Sequence, residues 1–119
     1  MQFAVIGLNH ETASMAIREK VAFSDAQKIQ AISTLMDEGV KELVILSTCG
    51  RSEIYCAGSL EKMSQVIEHV KTYFSDYCGD AEVLDHLYCK VGDVAIAHLI
   101  QVAVGLDSIV LGEDQILGQ

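Results

Sequence analysis

Residues 45–55 read Ile45-Leu46-Ser47-Thr48-Cys49-Gly50-Arg51-Ser52-Glu53-Ile54-Tyr55. Strand-forming residues run up to two hydroxyls, break at Cys49-Gly50 and resume after an arginine. With so short a break, residues 40–47 and 51–57 are expected to pair as the two strands of a hairpin. A two-residue hairpin turn favours positive φ, which Gly50 would adopt without steric cost. That turn would carry the Cys49 side chain to the rim of the sheet, whereas Cys56, in mid-strand, is expected to be packing material.

Working outward, residues 3–8 (FAVIGL) form a short, nearly all-apolar run, expected to be a central strand. Residues 9–22 lack periodicity and read as a long loop, alone or with a short helical turn; loops of that length are often functional. Ser24 followed by Gln27 is a capping-box pattern. Ile29, Ile32, Leu35 and Met36 then mark one helical face, with Gly39 ending the helix. Ser59 is expected to cap a further helix whose face is Met63, Val66, Ile67, Val70, Phe74 and Tyr77, ending at Gly79. A fourth strand is expected within residues 84–91. The order βαββαβ implies an α+β fold, a ferredoxin-like split βαββαβ sandwich with helices on one face of an antiparallel sheet. Residues 93–104 add a C-terminal helix, capped by Asp93 and ended by Gly105. It is apolar on all sides and so is expected to be buried. The apolar tail, residues 106–119, reads as if the chain were cut from something longer.

The 119 residues make one domain's worth of chain, half of them hydrophobic and 21% charged, as in a soluble globular protein. There is no proline, so turns must be built from Gly, Asp, Ser and Asn. The net charge of −9 argues against a surface that binds nucleic acid by broad phosphate neutralisation; any RNA contact must be local. The cysteines, Cys49, Cys56, Cys78 and Cys89, form neither a C-x-x-C pair nor a zinc-finger spacing. A thiol redox protein is therefore disfavoured. No signal peptide is evident and no apolar run is long enough to cross a bilayer, so a cytoplasmic protein with reduced thiols is expected.

Two readings of Cys49 stay open on residues alone. A thiolate attacks carbonyl carbon, and Arg51 could favour that anion or grip a substrate carboxylate with its planar fork. Equally, Cys49 could be a small turn residue and Arg51 an ordinary surface charge. His98 could likewise be a satisfied core residue, a general base or a carbonyl polariser. His10-Glu11 begins like a zinc-protease motif, but Ser14 stands where the second histidine is required, so no metal site is expected. Neither G-x-G-x-x-G nor G-x-x-x-x-G-K occurs, so no nucleotide site is expected in this chain. Glu113-Asp114-Gln115 reads by itself as a solvated turn. A non-enzymatic ligand-binding regulatory module has the same architecture; selective alkylation of Cys49 would favour the enzyme.

Three segments carry a family resemblance. "STCGRSEIY" resembles the S-T-C-N-R-T-E signature of glutamyl-tRNA reductases. "GLNHETASMAIREKVAF" is similar to that family's opening, G-L-N-H-x-T-A-P followed by an R-E-K/R segment. "HLIQVAVGLDSIVLGEDQILGQ" resembles its H-L-F-x-V-A-x-G-L-D-S-M-V-x-G-E-x-Q-I-L-G-Q stretch. The resemblance spans residues 1–119 and implies the N-terminal catalytic domain of an enzyme that reduces glutamyl-tRNA to glutamate-1-semialdehyde with NADPH, opening five-carbon tetrapyrrole synthesis. It implies Cys49 as the nucleophile that takes the glutamyl group as a thioester, and His98 as an aid near the carbonyl. Thr48 and Arg51 would hold the amino-acid moiety, with Ser108, Glu113 and Gln115 in the same pocket. NADPH and the homodimer contact would belong to domains absent from this chain, and the aminoacyl end of the tRNA would be the partner. Gly50 stands where the family has asparagine and Ser14 where it has proline. Asparagine tolerates the left-handed backbone best of the non-glycine residues, so the turn is expected to survive without the side-chain amide.

Overall fold

The computed structural model describes the backbone of residues 1–117 and the side chains of residues 1–105. The elements run β1 (Gln2–Asn9), α1 (Met15–Lys20), α2 (Asp25–Asp37), β2 (Glu42–Thr48), β3 (Arg51–Gly58), α3 (Met63–Cys78), β4 (Tyr88–Val91) and α4 (Asp93–Leu117), with a 3-10 segment, Ala81–His86, before β4. The sheet order is β2-β3-β1-β4, every neighbour antiparallel. The two central strands are thus the first and third, with the returning strands at the edges, the split arrangement expected of βαββαβ.

Strand alternation sorts the sheet into two faces. Ala4, Ile6 and Leu8 of β1 join Ile54 and Cys56 of β3 in the main core, against Ala31 and Leu35 of α2 and Met63, Val66, Val70 and Phe74 of α3. Ile6, Leu8, Leu35, Ile54, Val70 and Phe74 are fully buried, each worth roughly 1.5–3 kcal/mol of transfer free energy. The other face carries Val5 and Tyr55, which meet Ala95 of α4.

Local signals set most element ends. Ser24 accepts from the Gln27 amide while the Gln27 side chain accepts from the Ser24 amide, closing the capping box that starts α2. Gly39 and Gly79 take positive φ beyond α2 and α3. Ser14 caps α1, its hydroxyl accepting from the Ile17 amide at 3.4 Å, so the serine in place of the family's proline has a local task.

Four expectations change. The buried stripe of α2 is Ala31 and Leu35 with Ile32 partly covered, while Ile29 and Met36 face solvent; the helix is rotated toward the sheet by its smaller residue. Ser59 does not cap α3; a turn at residues 59–62 intervenes and Lys62 occupies the cap without a side-chain hydrogen bond. Gly105 does not end α4, which runs on to Leu117: Gly105 lacks the left-handed backbone of a terminating glycine, and a helix tolerates an interior glycine at about 1 kcal/mol. Nor is the additional C-terminal helix buried all round. Ala95 and Val102 are covered, but Val94, Ile100 and Val104 are 59%, 58% and 58% exposed. Over its described residues, α4 rests one flank on the sheet, through Ala95 against Val5 and Tyr55.

Candidate active site

The hairpin forms as its spacing requires: Thr48 pairs with Arg51, leaving Cys49-Gly50 as the turn. Gly50 is not in the left-handed region. Other bonds hold the turn: the Gly50 amide donates to Thr48 Oγ1 (3.2 Å) and its carbonyl accepts from the His10 amide (3.0 Å). A Cβ on Gly50 would meet only Thr48 Oγ1, at 4.0 Å, so a side chain fits there and glycine is not demanded. Arg18 of α1 adds a second tie, donating from Nε to the Cys49 carbonyl (3.2 Å) and from Nη1 to the Ala13 carbonyl (2.7 Å).

This clamp leaves the Cys49 side chain exposed at the sheet rim. Cys56, seven residues on, lies in the core, where burial pushes its thiol up to about 11. Cys49 opens onto a cleft of about 650 Å³ that Thr48, Arg51 and His98 also line. Four residues proposed from sequence are thereby brought together from the hairpin and α4. Ser108, Glu113 and Gln115 lie outside the described side chains.

Behind the Arg51, Tyr88 and His98 side chains that line the cleft lies a residue the sequence reading did not single out. Glu53 is completely buried, yet among the described residues its carboxylate meets two hydroxyl donors, a guanidinium and an imidazole. The Tyr55 hydroxyl donates to Oε1 at 2.7 Å and the Tyr88 hydroxyl to Oε2 at 2.5 Å. Arg51 Nη1 lies 3.3 Å from Oε2, and His98 Nε2 makes a very short contact with the same oxygen. Burial pushes the carboxyl up, but the hydrogen bonds from Tyr88, His98 and Tyr55 outweigh it and hold Glu53 below its ordinary value. Burial, then the carboxylate, raises both tyrosine hydroxyls. The Arg51 guanidinium is therefore directed at Glu53, and the arginine that bonds residue 49 is Arg18.

Register explains how a carboxylate reaches this position. Gly7 of β1 stands opposite Glu53 on one side and Tyr88 on the other. A Cβ at Gly7 would come within 2.9 Å of Glu53 Cγ and 2.5 Å of the Ser52 carbonyl, so the missing side chain is the path along which Glu53 reaches Tyr88. A glycine inside a strand marks close approach; paired with an acid inside β3, that was the available signal.

Chemically, the cleft combines an accessible thiol, a half-buried guanidinium and an imidazole backed by an ionised carboxylate. Such a set suits acyl transfer to sulfur with recognition of an anionic group. Among the described residues no group of three or more His, Cys, Asp or Glu side chains could hold a metal ion, and no helix is long and apolar enough to cross a membrane.

Comparison with known proteins identifies the family. Residues 6–119 match the family profile described as "Glutamyl-tRNAGlu reductase, N-terminal domain". The glutamyl-tRNA reductases of Clostridium novyi and Geobacter metallireducens are 41% and 44% identical to the chain over its whole length. The chain spans 28% of each of those relatives. Among solved structures, the glutamyl-tRNA reductase from Methanopyrus kandleri superposes with a TM-score of 0.61 at 27% identity, covering 98% of this chain and 26% of that one. A profile match over nearly every residue, with these identities, means that the chain belongs to the glutamyl-tRNA reductase family, as its N-terminal domain.

Proposed function

We propose that this chain takes the glutamyl group of glutamyl-tRNA onto Cys49 as a thioester, for NADPH-dependent reduction to glutamate-1-semialdehyde, the first step of tetrapyrrole synthesis in the cytoplasm. The observation that carries the reading is the exposed Cys49 thiol at a clamped hairpin tip, opening onto the cleft it shares with Thr48, Arg51 and His98. The ester to the tRNA ribose is already activated, so sulfur exchanges onto its carbonyl carbon with the ribose oxygen leaving. A thioester also accepts hydride more readily than an ester, and covalent capture keeps the acyl group in place. Thr48 and Arg51 hold the amino-acid moiety, Arg51 facing its carboxylate with the N–H groups that Glu53 does not use. Ser108, Glu113 and Gln115 complete the pocket on the strength of the family motif.

NADPH supplies the hydride in this reaction, but the residues here do not fit it. None of the nine glycines form a G-x-G pair. The amides after β1, where a phosphate loop would lie, are used internally: His10 donates to the Gly50 carbonyl, Glu11 to Asn9 Oδ1, and Thr12 and Ala13 to the Asn9 carbonyl. The cofactor and the dimer contact belong to other parts of the family's longer chains. With a net charge of −9, the domain meets the aminoacyl end of the tRNA and leaves phosphate contacts elsewhere.

Incubation of the chain with glutamyl-tRNA, followed by mass spectrometry, tests the reading. A single glutamyl adduct on the Cys49 peptide is expected, with slow loss of the tRNA ester and no aldehyde. Equal ester loss with Cys49→Ser, or an adduct on another thiol, would overturn it.

A further inference from the structure

An ionised carboxylate accepts hydrogen bonds and donates none. Glu53 Oε2 faces His98 Nε2, so that nitrogen must carry a hydrogen. In a neutral imidazole the other nitrogen then holds the lone pair. Neutral His98 is therefore the Nε2–H tautomer, with its acceptor at Nδ1. Among the described residues Glu53 is the one hydrogen-bond partner of the ring, and no buried side-chain nitrogen is left without a partner. Nδ1 is accordingly not sealed in the protein, and the ring lines the cleft that Cys49 lines.

We propose that Glu53 is a positioning residue that locks His98 in the Nε2–H tautomer, so that Nδ1 acts as the base toward the Cys49 thiol. This rests on the acyl-transfer reading. Polarisation of the carbonyl by donation would need a hydrogen on Nδ1, which the neutral ring lacks. In the transfer, Nδ1 takes the proton from Sγ as the sulfur electron pair forms the C–S bond. The C–O bond to the ribose breaks, and the departing oxygen takes the proton back from Nδ1. The ring ends neutral and Glu53 stays ionised throughout. Its three hydroxyl and imidazole donors, which outweigh burial, favour that ionised state. Among the described residues, the other titratable groups around the ring are Arg51 and Tyr55 on β3, Tyr88 and Lys90 on β4, and His10 and Glu11 across the cleft. β1 turns Val5, Gly7 and Asn9 to this face, none of which titrates.

Nitrogen-15 NMR of the histidine-labelled chain reads the tautomer directly at alkaline pH, where imidazoles are neutral. His98 is assigned through its contact with the Tyr88 ring, 5.3 Å between centroids. His86 is an internal control: its Nδ1 lies 2.9 Å from the Thr12 carbonyl, an acceptor only, so it must be the opposite, Nδ1–H tautomer. The expected spectrum has Nε2–H on His98 and Nδ1–H on His86. Iodoacetamide, which needs no tRNA, supplies the second readout. H98N should slow Cys49 alkylation at least about tenfold near neutral pH, the gap closing in alkali, where solvent ionises the thiol. E53Q should slow it in the same sense and mix the tautomers of His98. An Nδ1–H tautomer on His98, or an alkylation rate indifferent to H98N, would overturn the proposal. If alkylation follows His98 while charged tRNA leaves no adduct, the positioning role stands and the glutamyl-transfer reading fails.

Discussion

Gly7→Ala sets two physical effects against each other. Gly7 has no positive φ, so alanine in its strand should by propensity alone stabilise the fold by about 0.5–1 kcal/mol. The added methyl, however, would lie 2.5 Å from the Ser52 carbonyl oxygen, 2.8 Å from Glu53 Cα and 2.9 Å from Glu53 Cγ. Ordinary carbon contacts fall at about 3.5–4.0 Å, so β1 and β3 must part by roughly 1 Å. Two of the three atoms are backbone, in the strand pair bonded from Gln2↔Gly58 to Asn9↔Arg51; no rotamer change relieves them. Overpacking of this kind costs about 1–3 kcal/mol, and backbone contact puts it at the upper end. The net loss is then about 2 kcal/mol, a fall of about 1 M in the urea midpoint for a domain of this size. Urea unfolding followed by circular dichroism measures it. A midpoint equal to or above that of the unmodified chain would refute the claim that Gly7 makes room for Glu53.

Acid should weaken the fold through Glu53. Its folded pKa lies below the ordinary value near 4.5, so the unfolded chain binds the extra proton first; the stabilisation is present above about 4.5 and lost as pH falls through the folded value. Urea midpoints taken from pH 6 down to pH 3 should fall for the unmodified chain and fall less for E53Q; parallel curves would count against it. Arg18→Met should release the hairpin tip by removing its bonds to the Cys49 and Ala13 carbonyls, at about 1–2 kcal/mol. Hydrogen exchange at the His10 amide, which donates to Gly50, should quicken; unchanged protection would mean that the strand ladder alone holds the tip.

Much of the fold is legible in short-range pattern. The break at Cys49-Gly50 between two strand-forming runs yields the hairpin, and Ser24 with Gln27 yields the start of α2, because both depend on residues within a few positions of one another. The same spacing places Cys49 at the rim and Cys56 inside, since alternation decides which side chains leave a strand together. Where the pattern misled, a partner was missing from the local view. Gly50 needs no mirror-image backbone because His10, just after β1, and Arg18 of α1 hold the turn. The apolar start of α4, over its described residues, is half exposed because the sheet receives only one flank of it.

The buried cluster around Glu53 marks the boundary between the two kinds of information. Gly7, Glu53, Tyr88 and His98 are separated by 46, 35 and 10 residues, and no periodicity links them. From sequence alone followed the βαββαβ order, the exposed thiol and its arginine neighbour, because each is a matter of local geometry. Only the folded sheet decided that an acid in β3 would be buried beside a glycine, under two phenols and an imidazole. A buried carboxylate is tolerated where donors converge on it, and convergence is a property of which strands lie side by side, which three-dimensional packing alone determines.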